Sequence, residues 1–139
     1  MNTINDNAQL SHMAVIYCRV ASTVVSRKGI GIASQERRCR EYAGSKGYAV
    51  ERMFWDVGAS GNNTDRDGLQ EMLSFLDANA GHGGYVVVVD DDTRLARSAA
   101  LQFELTDAIA KTGARLECAD PAVSINLSEM LPLLRHRPQ

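Results

Sequence analysis

Tyr85-Val86-Val87-Val88-Val89 runs directly into Asp90-Asp91-Asp92-Thr93-Arg94-Leu95-Ala96-Arg97. Four consecutive valines suit a strand buried on both faces, as in the middle of a parallel sheet. Sheets of that kind bind their ligands at the carboxyl ends of the strands. Arg94 and Arg97 stand at such an end, three residues apart. That spacing shares one face if a helix or tight turn begins there. A second apolar run, Ala14-Val15-Ile16-Tyr17, ends in Cys18-Arg19-Val20-Ala21-Ser22. Two strand ends therefore offer three arginines and a serine to one place. Arginine forks grip phosphate oxygens and a hydroxyl can attack phosphorus, so the expected ligand is a phosphodiester.

Outward from these two strands the chain alternates strand and helix. The first strand is expected over residues 14–20. Residues 24–33, with Gly29 and Gly31, lack a helical period and read as a mobile loop. Ser34 is the expected N-cap of a helix reaching about Ser45, with Gly47 as its C-cap and Cys39, Tyr42 and Ala43 as a narrow apolar stripe. Residues 48–55 read as a second strand and residues 58–64 as a second glycine-rich loop. Leu69, Met72, Leu73 and Leu76 recur at i, i+3, i+4 and i+7, a core-facing helix. His82-Gly83-Gly84 ends it before the valine strand. Leu101, Leu105, Ala108 and Ile109 mark a further helix stopped by Gly113, and residues 114–118 a short last strand. The pattern predicts an α/β domain of three layers, with a mainly parallel central sheet of about four to five strands and right-handed crossovers.

The folded unit is expected over residues 14–125. Residues 1–13 read as a disordered leader, in which Ser11-His12-Met13 resembles a cloning scar. Residues 126–139 read as the truncated start of a C-terminal helix, interrupted by Pro132. The 139 residues suffice for one core, and the 45% hydrophobic content is ordinary for a globular chain. Neither a signal peptide nor a membrane-length apolar run is visible. Cys18, Cys39 and Cys118 are too scattered for a disulfide framework or a zinc site, which points to a reduced, cytoplasmic setting. Fifteen basic and seventeen acidic residues leave a net charge of −2, a weak argument against free-standing nucleic-acid binding. Only Lys28, Lys46 and Lys111 are lysines, and arginine is the better bidentate partner for phosphate. Asp90-Asp91-Asp92 would suit a hard cation, but neighbouring strand residues face opposite ways and three in a row do not converge.

Tyr17-Cys18-Arg19-Val20-Ala21-Ser22-Thr23, then Ser34-Gln35, then Asp56-Val57-Gly58-Ala59-Ser60-Gly61 with Thr64-Asp65-Arg66, and finally Arg94-Leu95-Ala96-Arg97 appear in that order. Together they resemble the catalytic domain of the serine recombinases, the resolvase/invertase and large serine integrase superfamily. The resemblance implies a resolvase-like fold and a site-specific DNA recombinase. In such an enzyme a serine attacks a phosphodiester, forms a 5′-phosphoserine link without metal or cofactor, and strands are exchanged within a DNA-bound homo-oligomer, from dimer to tetramer. Carried onto this chain, it makes Ser22 the nucleophile and assigns Arg19, Arg94, Arg97, Gln35, Arg66 and Asp56 to the catalytic site. With no metal, the arginines must supply the positive field for the transition state.

Three features depart from the family pattern. Ala21 stands directly after Val20, where relatives carry the serine. Either Ala21 occupies the nucleophile position, or the turn has gained a residue and Ser22 supplies the hydroxyl. Thr93 precedes Arg94 where many relatives have aspartate, although Asp90 to Asp92 leave an orienting carboxylate nearby. The chain also stops before a long helix and a DNA-binding domain. Ala21 and the missing C-terminal parts keep a second reading open, an inactive, recombinase-derived assembly or regulatory module, and the run Asp90 to Asp92 a third, a receiver-like or Mg²⁺-dependent phosphoryl domain.

Overall fold

The structure is a computed structural model and describes residues 13–20, 31–58, 66–82 and 84–120. Ser22, Ala21, Asp65, residues 1–12 of the expected leader, most of both glycine-rich loops and the expected C-terminal helix lie outside the described residues, while Met13 falls in the first strand rather than the leader. The elements are β1 (Met13–Val20), α1 (Ile32–Lys46), β2 (Ala49–Val57), α2 (Asp67–Ala78), a 3-10 turn (Ala80–His82), β3 (Tyr85–Val89), α3 (Asp92–Leu95), α4 (Ala99–Lys111) and β4 (Arg115–Cys118). Among them the sheet has four strands in the order β2-β1-β3-β4, every pair parallel.

The valine run serves two cores at once. Val87 and Val89 join Val15, Tyr17 and Phe54 against α2 and α4, through Leu69, Met72, Leu76, Leu105 and Ile109. Val86 and Val88 join Ala14, Ile16 and Cys18 against Cys39 of α1. A central strand with helices on both faces has no polar side to present, which is why its sequence does not alternate. α1 on one face, α2 and α4 on the other, and the sheet between them make the three layers.

Several element ends differ from the expectations, and three differences bear on the site. α1 starts at Ile32 with Gly31 at its N-cap position, so Ser34 lies inside the first turn and caps nothing. Ile32 packs against the α1-side core, and that burial extends the helix past the capping preference of Ser34. β2 runs on to Val57, because its pairing with β1 continues through Arg19–Asp56 and Val20–Val57. Arg94 and Arg97 do not share a helical face. α3 stops at Leu95, Ala96 is extended, and Arg97 sits between two helices. The C-cap glycine is as expected: Gly47 takes φ +81°, the left-handed region.

Candidate active site

β1 outlasts its neighbour. The β1–β3 pairing ends at Tyr17–Val89, two residues before Arg19. Gln35, fully buried in the first turns of α1, takes the place of the missing strand. The Arg19 N–H donates to Gln35 Oε1 at 3.1 Å, and Gln35 Nε2 donates to the Arg19 carbonyl at 3.0 Å. One side-chain amide has both the acceptor and the donor that a strand residue would offer.

The Arg19 side chain leaves β1 on the α2/α4 face and is only 2% exposed. Its Nε donates to the Arg94 carbonyl at 3.1 Å and its Nη2 to the Thr93 carbonyl at 2.7 Å. Arg66, equally buried, donates through Nη2 to the Leu95 carbonyl. Gln102 reaches back from α4 and donates to the Ala96 carbonyl at 2.6 Å. The end of a helix leaves its last carbonyls without intrahelical partners. Here four successive carbonyls, Thr93 to Ala96, each accept from a side chain brought in from elsewhere. The short α3 turn is a seat for two arginines.

Main-chain carbonyls orient a guanidinium without cancelling its charge. The Arg19 guanidinium is held below the usual arginine range, first by burial and next by the charge of Arg66, with Arg94 and Arg97 adding to it; Tyr17 acts the other way. Four like charges therefore bear on one strand end. Arg94 Nε is buried and makes no hydrogen bond among the described residues, while Arg97 is exposed. The Arg66 guanidinium also lies over the Tyr17 ring, 5.6 Å from its centroid.

Asp56 binds the start of α2. Its Oδ1 accepts from the Gly68 N–H at 2.8 Å, and its Oδ2 from the Leu69 N–H at 2.9 Å and the Tyr17 hydroxyl at 2.6 Å. Arg66 holds the N-cap position but makes no side-chain cap bond, so the capping carboxylate comes from β2 instead. Gly68 permits the close approach: a Cβ there would lie 2.1 Å from the Trp55 carbonyl oxygen. Arg66 is thus fixed at its main chain by the capped helix and at its guanidinium by Leu95. Burial, followed by the bond to Asp56, pushes the Tyr17 hydroxyl up, so it stays neutral and donates.

The three aspartates after β3 part company. Asp90 takes a two-pronged bond from Arg38, with Nε and Nη2 each at 2.7 Å. Asp91 accepts from the Thr93 N–H at 2.9 Å and from the Thr93 hydroxyl, capping α3. Asp92, 8% exposed, accepts from Cys118 Sγ. The carboxylate expected to orient Arg94 from this run is engaged elsewhere in each case. Among the described residues no group of three or more His, Cys, Asp or Glu is placed to hold a metal ion. Of the residues named from sequence, Arg19, Gln35, Asp56, Arg66, Arg94 and Arg97 gather at the carboxyl ends of β1 and β2 and the α3 turn, while Ser22 lies outside the described residues. Nothing in the sequence pattern singles out Gln102 or Arg38, since each acts on a partner in another element.

A profile of the family described as "Resolvase, N terminal domain" matches residues 14–130. This chain belongs to the resolvase N-terminal domain family. The resolvase domain superposes on the N-terminal catalytic domain of TP901-1 integrase with TM-score 0.75 and 25% identity, over 88% of this chain and 91% of that one. The C-terminal catalytic domain of ISC1926 TnpA, an IS607-like serine recombinase, gives TM-score 0.66 and 27% identity, over 88% and 79%. A resolvase family site-specific recombinase from Streptococcus pneumoniae gives TM-score 0.65 at 19% identity, over 88% and 85%, a likeness of fold. No curated protein matches the resolvase domain. None of its helices, among the described residues, is long and apolar enough to cross a membrane.

Proposed function

We propose that the resolvase domain is the catalytic domain of a site-specific DNA recombinase, and that it cuts and rejoins DNA strands through a 5′-phosphoserine intermediate, without a metal, with Ser22 as nucleophile. The observation that carries this reading is the seating of the Arg19 and Arg66 guanidinium groups on the Thr93, Arg94 and Leu95 carbonyls, which brings them to the turn that bears Arg94 and leads into Arg97. Such an arrangement suits an anion whose charge grows or spreads during reaction. Ser22 Oγ bonds to phosphorus and loses its proton. The phosphorus–O3′ bond breaks, and the 3′ oxygen leaves as a hydroxyl. Attack by the 3′-hydroxyl of another strand reverses both changes. Arg94, with a buried Nε still to be satisfied, and Arg97, exposed at the rim, are the donors aimed at the non-bridging oxygens. Arg19 and Arg66 supply field from seats already occupied on α3. Gln35 and Asp56 fix the ends of β1 and α2. Strand exchange calls for DNA held by a homo-oligomer, as the family resemblance implies.

Ser22 has a geometric condition to meet. Arg19 faces the α3 turn, and Val20 follows Cys18 onto the α1 face. Were the strand to continue, residue 22 would face away from the arginines. The chain must therefore leave β1 at Ala21. The test is a pool of nicked duplexes with randomised sequence around the nick, reacted with the chain, resolved under denaturing conditions, and mapped by mass spectrometry. DNA on Ser22 supports the proposal, as does loss of the adduct in Ser22→Ala. Ala21 favours a second reading, an inactive assembly module. No adduct from the natural sequence, with one restored by Ala21→Ser, would establish it.

A further inference from the structure

Asp90 is 4% exposed and has no part in the proposed chemistry. Its pair with Arg38 is bidentate, both contacts 2.7 Å, and a fork of that kind fixes direction as well as distance. The elements it joins give it consequence. α1 carries Gln35 one turn before Arg38, and Gln35 grips the Arg19 main chain. Asp90 opens the segment by which β3 passes into α3, and the Thr93 and Arg94 carbonyls of that turn grip the Arg19 side chain. Behind it, the Asp90 carbonyl accepts from the Asp120 N–H at 3.0 Å, so the strand end is itself anchored. Arg19 is held between two elements, and the ion pair is a direct bond between those same two.

We propose that Arg38 and Asp90 form a positioning pair that sets the spacing of α1 and the α3 turn, and through it the orientation of the Arg19 guanidinium. Its effect on reaction rests on the cleavage function proposed above; its effect on Arg19 does not. The two partners are unequal. The Arg38 side chain is 35% exposed, whereas that of Asp90 is 6% exposed. Asp90→Ala is therefore the clean variant, since Arg38→Ala would strand a buried carboxylate.

Solvent exchange at arginine Nε, read by ¹⁵N NMR on the DNA-free chain, is the first measurement. Asp90→Ala is expected to speed exchange at Arg38 and, by about tenfold, at Arg19, whose Nε–H is bonded to the Arg94 carbonyl, with amide exchange in β1 and β3 unchanged. Arg38→Lys keeps the charge but loses the fork, and is expected to raise Arg19 exchange as well; it serves if Asp90→Ala does not fold. Unchanged Arg19 exchange in a folded variant overturns the proposal, because a merely local role would move Arg38 alone. On the nicked-duplex pool, Asp90→Ala is expected to lower the adduct rate at saturating DNA by about tenfold, with half-saturation unchanged. A change confined to half-saturation also overturns it. If the natural chain forms no adduct at all, the cleavage reading fails and the NMR result still decides the role of the pair.

Discussion

Gly68 is where the architecture of the site is least forgiving. Any side chain there meets the Trp55 carbonyl, which is main chain and cannot swing aside. Gly68→Ala is expected to cost about 3 kcal/mol, the upper end of overpacking penalties, read as a lower midpoint in chemical denaturation. It also lifts the start of α2 away from Asp56, and Arg66 with it. Thr106 is the opposite case. It is 1% exposed, and its hydroxyl finds no hydrogen-bond partner among the described residues. Thr106→Val keeps the shape and is expected to stabilise by about 1 kcal/mol in the same measurement; a lowered midpoint would reveal a partner for the hydroxyl. The arginines divide by burial. Arg97→Ala is expected to leave the melting temperature unchanged and to cut adduct formation by about two to three orders of magnitude, the usual worth of a preorganised donor. Arg19→Ala is expected to lower both, because it also vacates two carbonyls inside the fold.

At the scale of elements, β4 is tied to the end of α1 and the start of β2 by one carboxylate. Glu117 accepts from Tyr42 at 2.7 Å, from Tyr48 at 2.9 Å and from Arg115 at 2.9 Å. Burial alone would push this carboxyl up, but the bonds from Tyr42, Arg115 and Tyr48 outweigh it and leave it below the ordinary 4.5. A carboxyl lower in the folded state than in the unfolded one adds stability that is fully present above that ordinary value. The gain is lost as pH falls through the folded value. Glu117→Gln is therefore expected to flatten the acid limb of a stability–pH curve below about pH 4.5 and to change its shape little above; an identical acid limb would refute the assignment. This lock was not legible in the sequence. The helices and strands themselves were, because apolar periodicity is local: Leu69, Met72 and Leu76 announce a buried stripe by spacing alone. What joins one element to another is not periodic. Asp56 caps a helix from a strand, Gln35 stands in for a strand from a helix, and neither is visible until the sheet order is known. The helical pairing of Arg94 with Arg97 failed for a related reason: the turn ends where Gln102 captures Ala96.

The whole molecule carries a net charge of −2, so its general field does not draw it to DNA. The chain is expected to bind duplex DNA weakly and without sequence preference in gel-shift titrations at physiological salt, with modest salt dependence because few phosphates are engaged. A sequence-selective complex at nanomolar concentration would mean that some other surface reads bases. The family and the three-layer fold were within reach of the sequence, since order and spacing of the arginine motifs survive in one dimension. Which hydroxyl is the nucleophile was not, because that depends on where β1 ends.

The acceptors that hold Arg19 and Arg66 are carbonyl oxygens of Thr93, Arg94 and Leu95. Every amino acid carries that atom. Replacing Thr93 leaves its carbonyl and the seat in place, whereas a shorter side chain at 19 or 66 leaves these carbonyls without their donor. In a saturation scan scored by protein abundance, the turn is expected to tolerate most replacements at Thr93 and the two arginines almost none. Heredity can rewrite the letters of the cradle while keeping the grip.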